Sequence, residues 1–183
     1  MTREEALKLV EDKITTKNLI KHCLAVEAIM AALAKRFHED ETRWALAGLL
    51  HDIDYETTKD KLEQHSLVGA EMLQALGIDS EIIQAVKVHN DTHHLPRLSQ
   101  MDRALFCADP VSGLIVAATL VLPSKKIADL TAENVLNRFK EKGFAKGANR
   151  EHIAACSELG LSLEEFIALA FQAMQAIASD IGL

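Results

Sequence analysis

An all-α fold is predicted by three features of this chain. Apolar residues recur at helical spacing, as in Leu19, Cys23, Val26, Met30, Leu33 and Phe37. Close to half of the 183 residues are hydrophobic, with Ala and Leu abundant and aromatics at only 4%, a mix suited to closely packed helices rather than to a sheet-based core. Prolines number three, Pro96, Pro110 and Pro123, each expected to mark a break, so long stretches run uninterrupted. The length suits one core domain with an extension, divided into a helical bundle over 1–122 and a C-terminal helical extension over 123–183 packed on the same core.

The elements follow in order. A first helix runs from about Arg3 to Lys13. A second follows the caps Thr15 and Thr16 and extends to Phe37, with His22 joining Val26, Ile29 and Leu33 near its inward stripe. His38 to Asp40 connect it to a third helix, about Glu41 to Asp52. The polar stretch Ile53 to Lys61 reads as a loop. A fourth helix, about Glu63 to Leu76, ends at Gly77, a favourable residue just past a helix end. A fifth runs from about Ser80 to Asn90, and Asp91 to Arg97 form a loop. The sixth begins near Ser99 and carries Asp109. Pro110 is expected to bend or restart it, with a seventh continuing to about Leu122. Beyond Pro123, Thr131 could cap a helix through Lys142 that ends at Gly143. Lys146 to Arg150 form a turn and Glu151 to Leu159 a short helix. Ser162 and Glu165 have capping-box spacing and open a last helix reaching roughly Asp180.

Composition narrows the function classes. A formal charge of −7 argues against a general nucleic-acid or anionic-membrane binder. Cys23, Cys107 and Cys156 are far apart and odd in number, and they read as reduced core residues. The first residues, through Lys13, alternate acids and bases in a helix pattern unlike a signal peptide, and the longest apolar run, Val111 to Leu122, is too short to span a bilayer. A cytoplasmic protein is expected. The apolar run and the Ala-rich last helix could support a homodimer.

His22, the adjacent pair His51 and Asp52, His65, His89 and Asp109 lie on or at the ends of predicted helices among apolar residues. Any one of them alone reads as a hydrogen-bonded core or helix-end residue. Together they point to a metal ion, because helix faces that bury Leu and Ile rarely carry so many imidazoles and carboxylates without a shared partner. Short connectors make neighbouring helices antiparallel, so His22 and His51 should sit at similar height on one hairpin, and His65 and His89 on the next. Asp52 and His51 can both reach one centre if the helix ends there. Nitrogen and carboxylate donors suit one or two divalent transition ions, Fe, Mn, Co, Ni or Zn. His22, His51, Asp52 and Asp109 would hold one ion; His65 and His89 could hold a second, with Asp52 as a bridge.

His22, the Leu49-Leu50-His51-Asp52 stretch and the distant Asp109 resemble the HD superfamily of metal-dependent phosphohydrolases over roughly residues 18 to 122. His65 and His89 make the chain similar to the branch with six ligands and two metals. The stretch His65-Ser66-Leu67-Val68-Gly69-Ala70 matches an H-x-x-x-G-A segment of bacterial members with the HDIG signature. The resemblance implies an all-helical HD-domain bundle, a divalent metal and phosphate-ester hydrolysis of a small phosphorylated substrate such as a nucleotide. Two departures stand out: Asp54 replaces the glycine of HDIG, and Tyr55 stands where a lysine often follows. The region after Pro123 looks like the C-terminal extension of uncharacterised HDIG proteins and suggests no mechanism.

In the implied reaction a metal-acidified water attacks phosphorus, with Asp52 and Asp109 orienting it. Asp54 and Glu56 are candidates for orienting a ligand or moving a proton, or else are solvated loop acids. Lys59, His93, His94 and Arg97 are candidates to meet phosphate in place of the missing lysine, as are Lys61, Lys146 and Arg150; the alternative for each is an ordinary surface role. Two competing readings are an HD-type di-iron oxygenase and a non-catalytic nucleotide-binding module. A nuclease is disfavoured by charge and by the scarcity of aromatics for stacking.

Overall fold

The computed structural model describes residues 1–141 and 143–183, which form helices and turns and, among the described residues, no strand. Helix α1 (Arg3–Lys13) starts at a capping box made by Thr2 and Glu5 and lays Ala6 and Val10 on the core. Helix α2 (Lys17–Phe37) is the central element and ends at His38 in the left-handed conformation. Asp40 caps α3 (Glu41–Leu50), whose backbone runs against that of α2.

Gly48 permits that approach. A Cβ at this position would lie 2.7 Å from the Val26 carbonyl oxygen and 2.8 Å from the Glu27 nitrogen. Alanine normally favours a helix over glycine by roughly 1 kcal/mol. Here the clash with backbone reverses the sign, and Gly48→Ala should destabilise the protein by about 1–3 kcal/mol in urea unfolding. A neutral or stabilising result would mean the two helices are free to separate.

After α3 the chain makes tight turns through the short α4 (Tyr55–Thr58), then forms α5 (Leu67–Ala75) and α6 (Ser80–Val88). A single turn of 3-10 helix, Asp91–His93, leads to the long α7 (Gln100–Leu120), capped by Ser99 and Asp102. Then come a second 3-10 turn, Ile127–Asp129, and the helices α8 (Ala132–Lys140), α9 (Arg150–Ala154), α10 (Leu163–Ala176) and α11 (Ala178–Ile181). Phe166, Ile167, Ala170 and Met174 of α10 are buried in the same core as Val26, Ile29 and Leu33 of α2.

Several expectations are corrected. Pro110 lies inside a continuous helix rather than breaking it. It removes one backbone hydrogen bond, but Phe106, Cys107 and Val111 on either side are buried, and their packing keeps both halves within one helix. α7 is therefore long and apolar enough to cross a membrane by composition, which the shorter apolar run was not, and 61% of its apolar window is buried in the core. The stretch Ile53 to Lys61 contains a helical turn, and α5 begins at Leu67 rather than near Glu63. Ser66 has a φ of 70°, and residues 62–66 are turns. The helix predicted to run through Lys142 is described to Lys140, with Glu141 as its extended cap; Lys142 lies outside the described residues. The segment Glu151 to Leu159 divides into α9 and a 3-10 stretch, Ala155–Leu159.

Candidate metal centre

Most of the buried polar side chains gather in one place. His51, Asp52, Asp54, His65, Ser66, His89 and Ser112 are buried at the meeting of α2, α3, α6 and α7 with the turns before α5. His22 comes from α2, and Asp109 from α7. His51 and His89 cap the C-termini of α3 and α6, and Asp52 follows in the turn, so the two adjacent residues face one centre.

Asp52 sits in the middle. Its Oδ2 lies 3.6 Å from His22 Nε2 and 3.5 Å from His51 Nε2. Its Oδ1 lies 3.3 Å from His65 Nε2 and 3.7 Å from His89 Nε2. Asp109 Oδ1 is 3.1 Å from His22 Nε2, and the Nε2 atoms of His22 and His51 are 3.2 Å apart. Donors bound to one ion at about 2.1 Å are separated by about 3.0–3.4 Å, the range these pairs approach. His22, His51 and Asp109 form one group of converging donors, and His51, Asp52 and His89 another.

The other nitrogen of each imidazole is already engaged. His51 Nδ1 donates to the Gly48 carbonyl at 2.8 Å and His89 Nδ1 to the Val86 carbonyl at 2.6 Å. His65 Nδ1 donates to Asp54 at 3.0 Å. His22 Nδ1 donates to Ser112 Oγ at 3.0 Å, whose hydroxyl donates to the Asp109 carbonyl at 2.8 Å. These contacts assign a proton to each Nδ1 and turn every Nε2 inward, where it can give up its own proton to a metal ion. The Nε2 atoms of His22 and His51, 3.2 Å apart, need a proton or a cation between them. The donor set therefore fits a bound metal ion.

Charge points the same way. Burial makes His51 hard to protonate, and its pKa falls to about 4 despite nearby Asp52. For His65 burial is outweighed by hydrogen bonds to Asp52 and Asp54, which raise it to about 10. His22 is likewise raised, Asp109 and Asp52 overcoming burial. Burial opposes the charged forms of Asp52 and Asp109, yet the surrounding imidazoles hold Asp52 well below the usual carboxylate range and Asp109 below it. The acids thus hold positive charge at the cluster, as a cation site requires.

Access is one-sided. The His65 and His89 side chains are 9% and 3% exposed, while those of His22 and Asp109 are 23% and 35% exposed. A cavity of about 340 Å³ opens at that edge, lined by His22, Asp109, Pro110, Gly113 and the loop residues Ala145, Gly147 and Ala148. The C-terminal segment, which suggested no mechanism in the sequence, therefore walls the mouth. Arg150 holds this loop by donating to the carbonyls of Arg138, Phe139, Phe144, Ala145 and Ala148.

The remaining candidates fall elsewhere. Asp54 is completely buried, not a solvated loop acid; it holds His65 and accepts from the backbone nitrogens of Ser66 and Gly69. Glu56 accepts from Thr15 and Thr16 at the start of α2 and is not one of the converging donors. His93 Nε2 donates to the His65 carbonyl at 2.7 Å, fastening that turn, and His94 is exposed with a φ of 51°. Arg97 stacks over the Phe106 ring at 3.7 Å and faces Asp91 and Glu158. Lys59 is exposed beyond α4. None of these six lines the mouth. Tyr55, in the place of the missing lysine, packs edge-on against His65 with ring centres 5.2 Å apart. The three cysteines are buried free thiols, and burial raises their pKa, to about 11 for Cys156.

The sequence profile of the HD domain family matches residues 19–118, the span that holds His22, His51, Asp52, His65, His89 and Asp109. The chain belongs to the HD domain family. HD domains bind divalent metals and are in general metal-dependent phosphohydrolases. Ribonuclease Y of Oleidesulfovibrio alaskensis is 29% identical over 141 residues, covering 74% of this HD protein and 26% of the relative. Ribonuclease Y of Lawsonia intracellularis is 27% identical over 139 residues with the same coverage. An uncharacterised protein of Methanocaldococcus jannaschii is 34% identical over 94 residues, 49% of this chain and 54% of its own. The chain thus spans about a quarter of the length of the ribonuclease Y relatives it matches.

Proposed function

We propose that this HD-domain protein hydrolyses a phosphate ester of a nucleotide or a similar small phosphorylated metabolite, using one or two divalent transition ions. The observation that carries the reading is the convergence of four Nε2 atoms on the two oxygens of Asp52, His22 and His51 on Oδ2, His65 and His89 on Oδ1. His22, His51, Asp52 and Asp109 would hold one ion, on the side nearer solvent, and Asp52, His65 and His89 would hold the other. Ions bound there would acidify a water and neutralise phosphate oxygens. Asp109, the more exposed acid, would orient the water and take its proton as the new P–O bond forms; the P–O bond to the leaving oxygen breaks, and that oxygen takes a proton back from Asp109 or from solvent. Asp54 positions His65 by holding its Nδ1 proton. Ester oxygens approach from the cavity beside His22, and residues 123–183 act as an extension that completes this mouth around the metal-binding unit of 1–122.

The test is elemental analysis of protein purified without chelators, with hydrolysis of nucleoside monophosphates and of bis(4-nitrophenyl) phosphate under added Mn, Co or Ni. One or two ions per chain and turnover lost in His51→Ala are expected. Equal turnover in His51→Ala would rule out this centre, and two irons with oxygen consumption would replace hydrolysis by oxidation. The relatives named ribonuclease Y make RNA the second substrate to assay, since cleavage of its backbone is also phosphate-ester hydrolysis; the net charge of −7 favours the small ester.

A further inference from the structure

A second cavity, of about 280 Å³, shares His22 and Gly113 with the cavity at the mouth of the metal centre. The two therefore adjoin at these residues, and the second is a groove beside the first. On α2 its wall is Asn18, Lys21, His22 and Ala25, which repeat at the spacing of a single helix face. Opposite lie Val116 of α7 and Ile181 at the end of α11, so most of the lining is apolar and one cation stands in it. The volume is near the lower end of small-ligand cavities, roughly 300 Å³ and upward.

Two independent observations mark this groove as a place for a ligand. The first is Lys21. It is half-buried, and its ammonium lies against Gly182, where an added Cβ would come within 2.5 Å of Nζ. No acid or carbonyl among the described residues pairs with it. Lysine stems commonly lie along apolar surface with the charged head in water or on an acid; here the head borders the groove, one residue from His22. The second is Gly113. It sits inside α7, exposed, where glycine weakens a helix relative to alanine. Close packing does not require it, because a Cβ there would meet nothing within 4 Å. A side chain at 113 would enter open space that borders both cavities.

We infer that this groove is the substrate subsite of the proposed hydrolase, and that it takes a phosphate ester of a nucleoside-sized organic group: Lys21 binds a phosphate oxygen, and the organic group lies across Gly113 on the apolar wall. Lys21 then supplies the cation that Tyr55 does not. Sequence reasoning passed over it because it is one of many helical lysines; its place directly before His22, on the helix face that carries the ligand, was the available signal. The inference rests on the hydrolytic reading but can fail separately from it.

The test uses the full chain loaded with its metal and two probes: inorganic phosphate, and the phosphonate isostere of adenosine monophosphate, which cannot be hydrolysed. Binding is measured by calorimetry, with metal content and Tm for each variant. Lys21→Gln should weaken both probes by at least about tenfold, the loss of one charge-assisted hydrogen bond, and Lys21→Arg should recover part of it. Gly113→Leu should keep its metal and a Tm at or above that of the parent. It should weaken the nucleoside probe by at least about tenfold, and inorganic phosphate by much less. If metal content and hydrolysis stand but both variants bind the nucleoside probe like the parent, the groove assignment falls alone. If the parent holds no metal and hydrolyses nothing, the reading beneath it falls instead. Tighter binding of an oligoribonucleotide than of the nucleoside probe, lost in Lys21→Gln, would overturn the small-ester assignment.

Discussion

Asp52→Asn should strip the protein of metal and abolish the proposed hydrolysis while leaving the fold intact. The side chains are isosteric, so packing is preserved at a residue only 7% exposed. What changes is charge and donor direction. Asp52 presents one oxygen to His22 and His51 and the other to His65 and His89. An amide keeps one acceptor and turns an NH2 toward the second histidine pair, whose Nε2 atoms then face hydrogens instead of a shared cation. Loss of a residue that only supports a ligand typically weakens metal binding by about 10- to 100-fold. Loss of the bridging anion should exceed about 100-fold and reduce turnover by about a thousandfold or more. Elemental analysis and rates at saturating Mn measure both. Retention of metal with turnover within about tenfold of the parent would show that Asp52 is not the shared ligand.

Asp54→Ala should be the most destabilising single substitution near the site. Asp54 is fully buried, and its Oδ2 accepts from Ser66 N at 2.8 Å and Gly69 N at 3.0 Å while Oδ1 holds His65 Nδ1. It thus caps α5 from the preceding turn, where Ser66 makes no side-chain cap of its own. Alanine leaves these donors buried without acceptors. Removing one partner of a buried, charged network costs about 3–5 kcal/mol, a fall of about 1–2 M in the urea midpoint at a slope of roughly 2–3 kcal/mol/M. Metal affinity should drop by about 10- to 100-fold as His65 loses its orientation. Asparagine can still accept, and Asp54→Asn should lose less. A fall below about 1 kcal/mol in Asp54→Ala would mean that water or a neighbour satisfies these donors, and that α5 does not depend on this acid.

The two positions differ in how readily they could be read from the chain. Asp52 stands beside His51 in a recognisable stretch, and its distance from the other donors follows from hairpin geometry. Asp54 reads as a surface acid because polar residues surround it in sequence, from Tyr55 to Lys61. Only the folded chain brings it under the start of α5. The same cause displaced the predicted start of that helix: propensity alone favours helix from Glu63, but Asp54 offers its cap at Ser66 and Gly69. Arg97 and His93 looked like free cations for phosphate. Tertiary contacts occupy them instead, Arg97 on Phe106 and His93 on the His65 carbonyl. Pro110 was expected to break a helix, and burial on both sides of it kept α7 whole.

By itself, the amino-acid sequence determined the helical class and most helix limits, and it singled out a candidate set of imidazoles and carboxylates. Those follow from periodicity, capping and connector length, which are local and additive along the chain. Tertiary structure alone decided which nitrogen of each imidazole points inward, which acid is buried, and which side of the centre opens to solvent. His51 and His89 find their Nδ1 acceptors three residues back, but His22 needs Ser112 and His65 needs Asp54. A side chain's hydrogen-bond partner and its exposure depend on whatever packs against it, and in this protein those neighbours come from distant segments, down to the Ala145–Ala148 loop at the mouth.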